Sequence, residues 1–320
     1  MKATAARKIW LLHLGVILLF AALQFVLPDY HHGVFARVLV LAVFAMGYNL
    51  LFGYAGLVSL GHAMFFSAGL YGAGLTMLHL GWGVPAGFVA GVAAGAALSL
   101  VVGILALRTT GVAFMIVTMM FAQVFYLATL YYGEWTKGDQ GFVLAQQVRA
   151  IAIGGTRLDL SNPATRYWAA LALFSVALLV TLATVRSRHG RVLVAIRENE
   201  ERTKMLGYDT FANKLAAVVV SGAICGAAGA AYAVLFGYIG SNFASVQYSI
   251  LPLLWVLLGG AATTLGPIIG TLLMYYVIDV ASGFTSAWLL VVGLVLILLV
   301  LFFPKGILGT IRDRWIGWLP

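Results

Sequence analysis

The sequence predicts an all-α fold, a polytopic transmembrane helical bundle of about ten membrane segments, some of them broken or re-entrant. Composition, long apolar runs and the lopsided placement of Lys and Arg predict it. The 320 residues are 62% apolar and 9% charged, with a mean hydropathy of +1.01. Soluble domains run near ~45–50% apolar and ~25% charged, so this chain has too little polar surface to cover a soluble fold. In hydrocarbon, every backbone polar group must be satisfied internally, which leaves helices or a closed barrel. Barrel strands alternate apolar and polar over about 10 residues. The runs here stay apolar over roughly 17–25 residues, the length of a spanning helix.

The segments fall near 9–27, 34–52, 57–79, 84–107, 112–132, 167–185, 214–237, 248–263, 265–281 and 286–303, within one transmembrane domain, 1–320. The first follows a basic start, Met1–Lys8, as a secretory signal would. Its run to Leu27 is long and no small-residue cleavage site precedes Pro28, which favours an uncleaved helix. The stretch Asn49–Gly61 is rich in glycine and reads as a broken helix or a re-entrant turn. The pair 248–263 and 265–281 is split only by Leu265-Gly266-Pro267, so it reads as a hairpin that does not fully cross. Irregular backbone at membrane depth is tolerated where it is buried in protein or lines a cavity.

With the N-terminus in the cytoplasm, only Arg37, Lys137, Arg149, Arg157 and Arg166 fall outside; the other fourteen of the 19 Lys and Arg fall inside. Positive residues favour the cytoplasmic side, so both termini are predicted there. Loop 133–166 then lies on the extracytoplasmic side and the basic loop 186–213 lies in the cytoplasm. Basic residues that flank apolar segments form no soluble patch, which argues against nucleic acid despite a sequence pI of 9.7. Within the basic loop, Arg191–Leu206 predicts a helix stopped by Gly207. Glu198 with Arg202 and Glu200 with Lys204 have favourable i,i+4 spacing, and Val192, Ala195, Ile196, Thr203 and Leu206 share another face. Spacing alone leaves two readings, a solvated connector or a docking element.

Small residues every fourth position form three ridges: Gly87, Gly91, Gly95, Ser99 and Gly103; Ser59, Ala63 and Ser67; Gly222, Gly226 and Ala230. Such ridges let helix backbones approach closely in lipid. Polar residues within segments are few, and the candidates for a solute pathway are Asn49, Ser59, His62, Tyr71, Thr118 and Gln123. Each can equally satisfy a neighbouring helix. Asp279, the single acidic residue within a hydrophobic segment, lies near a segment end and reads as interfacial. The lone Cys225 forms no internal disulfide and reads as a packing residue. The sequence carries no G-x-x-x-x-G-K-[ST] phosphate loop, metal motif or nucleophile elbow. If ATP drives this protein, another chain binds it. An ion-coupled carrier would want several intramembrane charges in series, and a membrane enzyme would want a catalytic set.

Met46–Gly74 carries Asn49, Leu50, Leu51, Gly53, Tyr54, Ala55, Gly56, Ser59, Leu60, Gly61, His62, Ala63 and Phe65 in a pattern that resembles the branched-chain amino-acid ABC permease family of the LivH/LivM type. Leu70 stands where that family often has alanine. Gly111–Gln123, Gly190–Leu215, Leu258–Gly270 and Leu301–Gly306 resemble further family motifs in the same order, with Gln123 in place of a frequent glutamate and Ala262-Thr263 in place of Gly-Ser. The extra first segment and the long basic loop favour the LivM side. The resemblance implies a bacterial inner-membrane importer. Its parts would be a second permease of LivH type, two cytoplasmic ATPases of LivG/LivF type that use ATP-Mg, and an extracytoplasmic solute-binding protein, with no cofactor on this chain. It implies ATPase coupling through Arg191, Ile196, Arg197, Glu198, Glu201, Leu206 and Gly207. Leucine, isoleucine and valine are the family's solutes, while relatives also move other amino acids, urea, amides and aromatic acids.

Overall fold

The computed structural model describes residues 2–153, 156–285, 287–302 and 305–315. The expected segment ends at 286 and 303, and Phe303 and Pro304 of the tail match, lie outside the described residues. The helices are α1 Lys2–Val26, α2 Asp29–Asn49, α3 His62–His79, α4 Val84–Ala106, α5 Gly111–Tyr131, α6 Gly133–Thr136, α7 Pro163–Arg186, α8 Arg188–Glu198, α9 Glu200–Met205, α10 Thr210–Phe236, α11 Val246–Gly259, α12 Gly266–Phe284, α13 Trp288–Phe302 and α14 Gly306–Arg314. Each of the ten expected segments coincides with one of them. Among the described residues seven helices are long and apolar enough to cross a membrane: α1, α2 with the turn that continues it, α4, α5, α7, α10 and α12. The chain is a multi-pass membrane protein.

One end of the bundle, the basic end, carries α8, α9 and α14. The opposite end carries two short antiparallel pairs: β2 Ala150–Ile153 with β3 Thr156–Asp159, and β1 Phe142–Val143 with β4 Tyr238–Ile239. This end is called the hairpin end. The bundle is helical as expected, and strand pairing is confined to its connecting segments among the described residues.

The centre is a close-packed trio of α3, α4 and α10. Its spacing is set by glycine. Gly95 lies against the Gly226 and Gly222 backbone, Gly91 against the Gly69 carbonyl, and Gly222 against Ser99. Two of the expected ridges thus mesh. Lipid gives helices no hydrophobic reason to associate, so the stabilisation comes from dispersion between backbones that no Cβ holds apart. The third ridge is corrected: Ser59 precedes α3, because the chain is unwound from Ala55 to Gly61.

That unwinding is the broken helix expected at Asn49–Gly61. α2 widens into a π-turn at Leu50–Tyr54, closed by Ala55 N–H to the Leu50 carbonyl at 3.3 Å, and Leu57 N–H then reaches the Leu51 carbonyl at 3.1 Å. Gly56 follows at φ +73°, a left-handed conformation that a side chain disfavours. A second break follows α10, which Gly237 stops at φ +82°. The first turns of α3 and α11 then meet inside the bundle, where the Ala63 N–H donates to the Ser249 hydroxyl at 2.9 Å. α11 has 14 residues, about 21 Å of helix against a hydrocarbon thickness of about 30 Å. It is shorter than the hydrocarbon layer, whereas its partner α12, with 19 residues, is long enough to cross, which the expected non-crossing hairpin did not anticipate.

Candidate functional site

The basic loop is two helices, which corrects the single helix expected over Arg191–Leu206. Ser187 caps α8 by accepting from Gly190 N–H at 3.2 Å. Asn199 adopts an extended conformation and its side chain accepts from Arg202 N–H at 2.8 Å, so it starts a new helix. An asparagine in that role satisfies an orphan donor of the second helix at the expense of continuing the first. The break removes the expected Glu198–Arg202 pair; Glu198 instead lies 3.5 Å from Arg197. The Glu200–Lys204 pair survives at 3.6 Å, and Gly207, at φ +87°, ends the element as expected.

The expected coupling residues separate into two groups. Ile196 is buried with Leu193 and Gly190 against the bundle, so it anchors the loop. Arg191, Glu198, Glu201, Leu206 and Gly207 are exposed. Leu206 (71%) stands with Met205 (85%), Tyr208 (50%) and Phe211 (42%) in an apolar group open at the basic end. Exposed apolar groups of this kind mark interaction sites.

Arg197 links this loop to the interior. Its guanidinium Nη1 donates to the Gly53 carbonyl in the π-turn, and its stem lies against Gly56, where a Cβ would collide with it. An arginine at a helix end satisfies carbonyls that the unwinding leaves free. Asn49, one turn earlier, clamps the loop between α11 and α12: it donates to the Thr263 carbonyl at 2.9 Å and accepts from Ala262 N–H at 3.0 Å. Arg312 of α14 donates to the Ala262 carbonyl at 2.9 Å. One hydrogen-bonded chain therefore joins the exposed loop, the broken helix and the α11–α12 turn.

Sequence reasoning missed Glu200 and Lys214 as a unit and named Glu201 in their place. Glu200 lies 2.7 Å from Lys214, whose side chain is 6% exposed, and also accepts from Thr210 Oγ1 at 3.0 Å. Burial works against the Glu200 carboxylate, but the hydrogen bond and charge of Lys214 outweigh it and hold its pKa below the ordinary carboxylate value. Glu201 is exposed and pairs with Lys204 at 2.9 Å. The signal was present: both residues stand in the Gly190–Leu215 motif, 14 positions apart, a distance that only the turn between α9 and α10 closes.

Of the pathway candidates, Asn49, Ser59, His62, Tyr71 and Thr118 are buried. Thr118 donates back to the Met115 carbonyl at 2.9 Å, and Ser59 accepts from Gly61 N–H at 3.1 Å; both hold local backbone. Ser221 gives its one hydroxyl proton to the Gly47 carbonyl at 2.6 Å, so it accepts from His62 Nε2–H at 3.0 Å. His62 therefore ties α3 to α10 and through it to α2. Tyr71 lines a cavity of about 550 Å³ between α3, α4 and α5, walled otherwise by Leu75, Leu98, Phe125 and Trp135. Gln123 is exposed on α5, twelve residues into that helix.

A multi-pass bundle with two unwound segments meeting at its centre, and a helical loop hydrogen-bonded to one of them, has the architecture of a membrane transport protein. The chain belongs to the family described as the branched-chain amino acid transport system, permease component, whose model matches residues 31–301. It is 25% identical over 337 residues to the high-affinity branched-chain amino acid transport system permease protein LivM of Salmonella typhimurium, covering 98% of this chain and 77% of that one. The Escherichia coli protein of the same name is 26% identical over 298 residues, covering 86% and 69%. A probable LivM of Methanocaldococcus jannaschii is 28% identical over 156 residues, 44% of this chain and 45% of that one.

Proposed function

We propose that this chain is the LivM-type permease subunit of an ATP-driven importer and carries leucine, isoleucine or valine across a bacterial inner membrane. The family membership supports the solute class. The observation that carries the mechanism is the hydrogen bond from Arg197 to the Gly53 carbonyl. Through it, a displacement of the basic loop pulls on the broken helix and, by way of Asn49, on the α11–α12 turn. Such a linkage can bias one bundle arrangement over another, which is what a coupled permease has to do.

In this reading two ATPase chains seat on the Met205–Leu206–Tyr208 surface and hydrolyse ATP-Mg; the permease itself contributes conformations. The Lys and Arg excess supports a cytoplasmic position for the basic end and both termini. The hairpin end then receives a solute-binding protein. A second permease chain covers α5, where Gln123 lies about 18 Å along the helix, too deep for an amide to face lipid tails cheaply. Leu206→Asp in the full complex tests the docking surface. It should abolish co-purification of the ATPases while the permease still inserts. Retention of both ATPases would overturn the assignment. Ile196→Asp should instead reduce the folded permease itself, because Ile196 is internal.

A further inference from the structure

The hairpin-end half of the bundle contains a second cavity, of about 280 Å³, where α2, α10, α11 and α12 converge. Its apolar lining comes from Leu41, Phe243, Leu251 and Ile278, with the rings of Tyr232 and Tyr248 beside them. Tyr275 and Asp279, one turn apart on α12, supply its polar side. Arg37 of α2 donates from Nη1 to the Tyr275 hydroxyl at 3.3 Å, and its guanidinium also lies 5.1 Å from the Phe236 ring.

Both charges sit in membrane-length helices, Arg37 eight residues into α2 and Asp279 five residues before the end of α12. Charge at that position is costly and persists where it faces a partner or a wet cavity. Among the described residues neither forms an ion pair, and both side chains are exposed. Asp279 therefore lines a small aromatic-aliphatic chamber, and Arg37 stands at its edge behind Tyr275, with Arg166 also over the Phe236 ring at 5.4 Å.

A neutral amino acid has the complementary arrangement. Its carboxylate suits a guanidinium, which presents parallel donors. Its ammonium suits a carboxylate beside tyrosine faces, and a branched aliphatic side chain gains from leaving water for the apolar wall. The chamber is below the size of pockets that take drug-sized ligands, about 300–1,000 Å³. The larger cavity beside Tyr71 has no charged lining residue, so it has nothing to repay the desolvation of a zwitterion.

We propose that this cavity is a solute site at the hairpin end, in which Arg37 binds the α-carboxylate and Asp279 the α-ammonium of an aliphatic amino acid. The inference rests on the permease reading above. The test uses the complete transporter in proteoliposomes with labelled leucine. Arg37→Gln and Asp279→Asn should each cut uptake at least tenfold while the ATPases still co-purify. A second variant, Ser282→Cys, places a thiol on the cavity lining; the native Cys225 is buried and does not compete. Leucine should slow labelling of that thiol by a membrane-impermeant reagent. If the parent complex takes up leucine and both charge variants match it, the site is overturned with the permease reading intact. If the parent complex takes up no leucine, the permease reading fails for that solute and Ser282→Cys decides the site: slowed labelling supports it and unchanged labelling overturns it. Should a charge variant lose its ATPases, the same labelling experiment decides.

Discussion

Glu200→Ala strands a buried cation. Lys214 is 6% exposed and its closest carboxylate is Glu200 at 2.7 Å; Glu200 itself is 29% exposed. Removing one partner of a buried pair costs about 3–5 kcal/mol because the other charge stays desolvated. The partial exposure of Glu200 puts this case near the lower figure, about 3 kcal/mol. At roughly 2 °C per kcal/mol for a large domain, the melting temperature should fall by about 6 °C. Cys225 provides the assay, since it is fully buried and becomes reactive to a thiol dye as the bundle opens. Glu200→Ala with Lys214→Met should regain most of the loss, because an apolar side chain there needs no partner. A single variant that melts with the parent protein, or a double variant no better than the single, would refute the reasoning. The pH dependence has a definite sign. The folded Glu200 pKa is depressed, so its contribution is present above the ordinary value near 4.5 and is lost as pH falls through the folded value. Glu200→Gln should flatten the acid limb of the melting curve.

Arg197→Ala should cut leucine uptake at least tenfold while the complex still hydrolyses ATP, because the loop loses its bond to the Gly53 carbonyl; uptake equal to the parent complex would remove Arg197 from the coupling route. Gly69→Val should lower stability by about 1–3 kcal/mol, the range for overpacking, since any Cβ there overlaps the Gly226 carbonyl; an unchanged thiol-dye melt would show that α3 and α10 are not packed this closely. Ala262 holds φ +55°, so Ala262→Gly should raise stability by about 0.5–1 kcal/mol as the left-handed strain is relieved. A lower melting temperature would mean that the turn depends on the Ala262 methyl group more than on its conformation.

The sequence by itself determined the membrane class, the ten apolar segments and the family, because these follow from composition and from runs of adjacent residues. It also located the first irregular stretch, where Gly53, Gly56 and Gly61 crowd together, and the α11–α12 turn at Gly266-Pro267, but not the break after α10 at Gly237. The small-residue ridges on α4 and α10 were legible for the same reason: their spacing is helical and their function is local. Tertiary structure alone decided which residues act together. Glu200 and Lys214, Arg197 and Gly53, and Asn49 and Thr263 are 14, 144 and 214 positions apart. No periodicity links such pairs, because their approach depends on how helices cross. The split at Asn199 escaped a reading by spacing because the residues on both sides favour helix, and the asparagine's own side-chain bond tips the balance. Ile196 and Leu206 looked alike as apolar loop residues; packing buries one and leaves the other open, since burial depends on what lies opposite as well as on the residue's own chemistry.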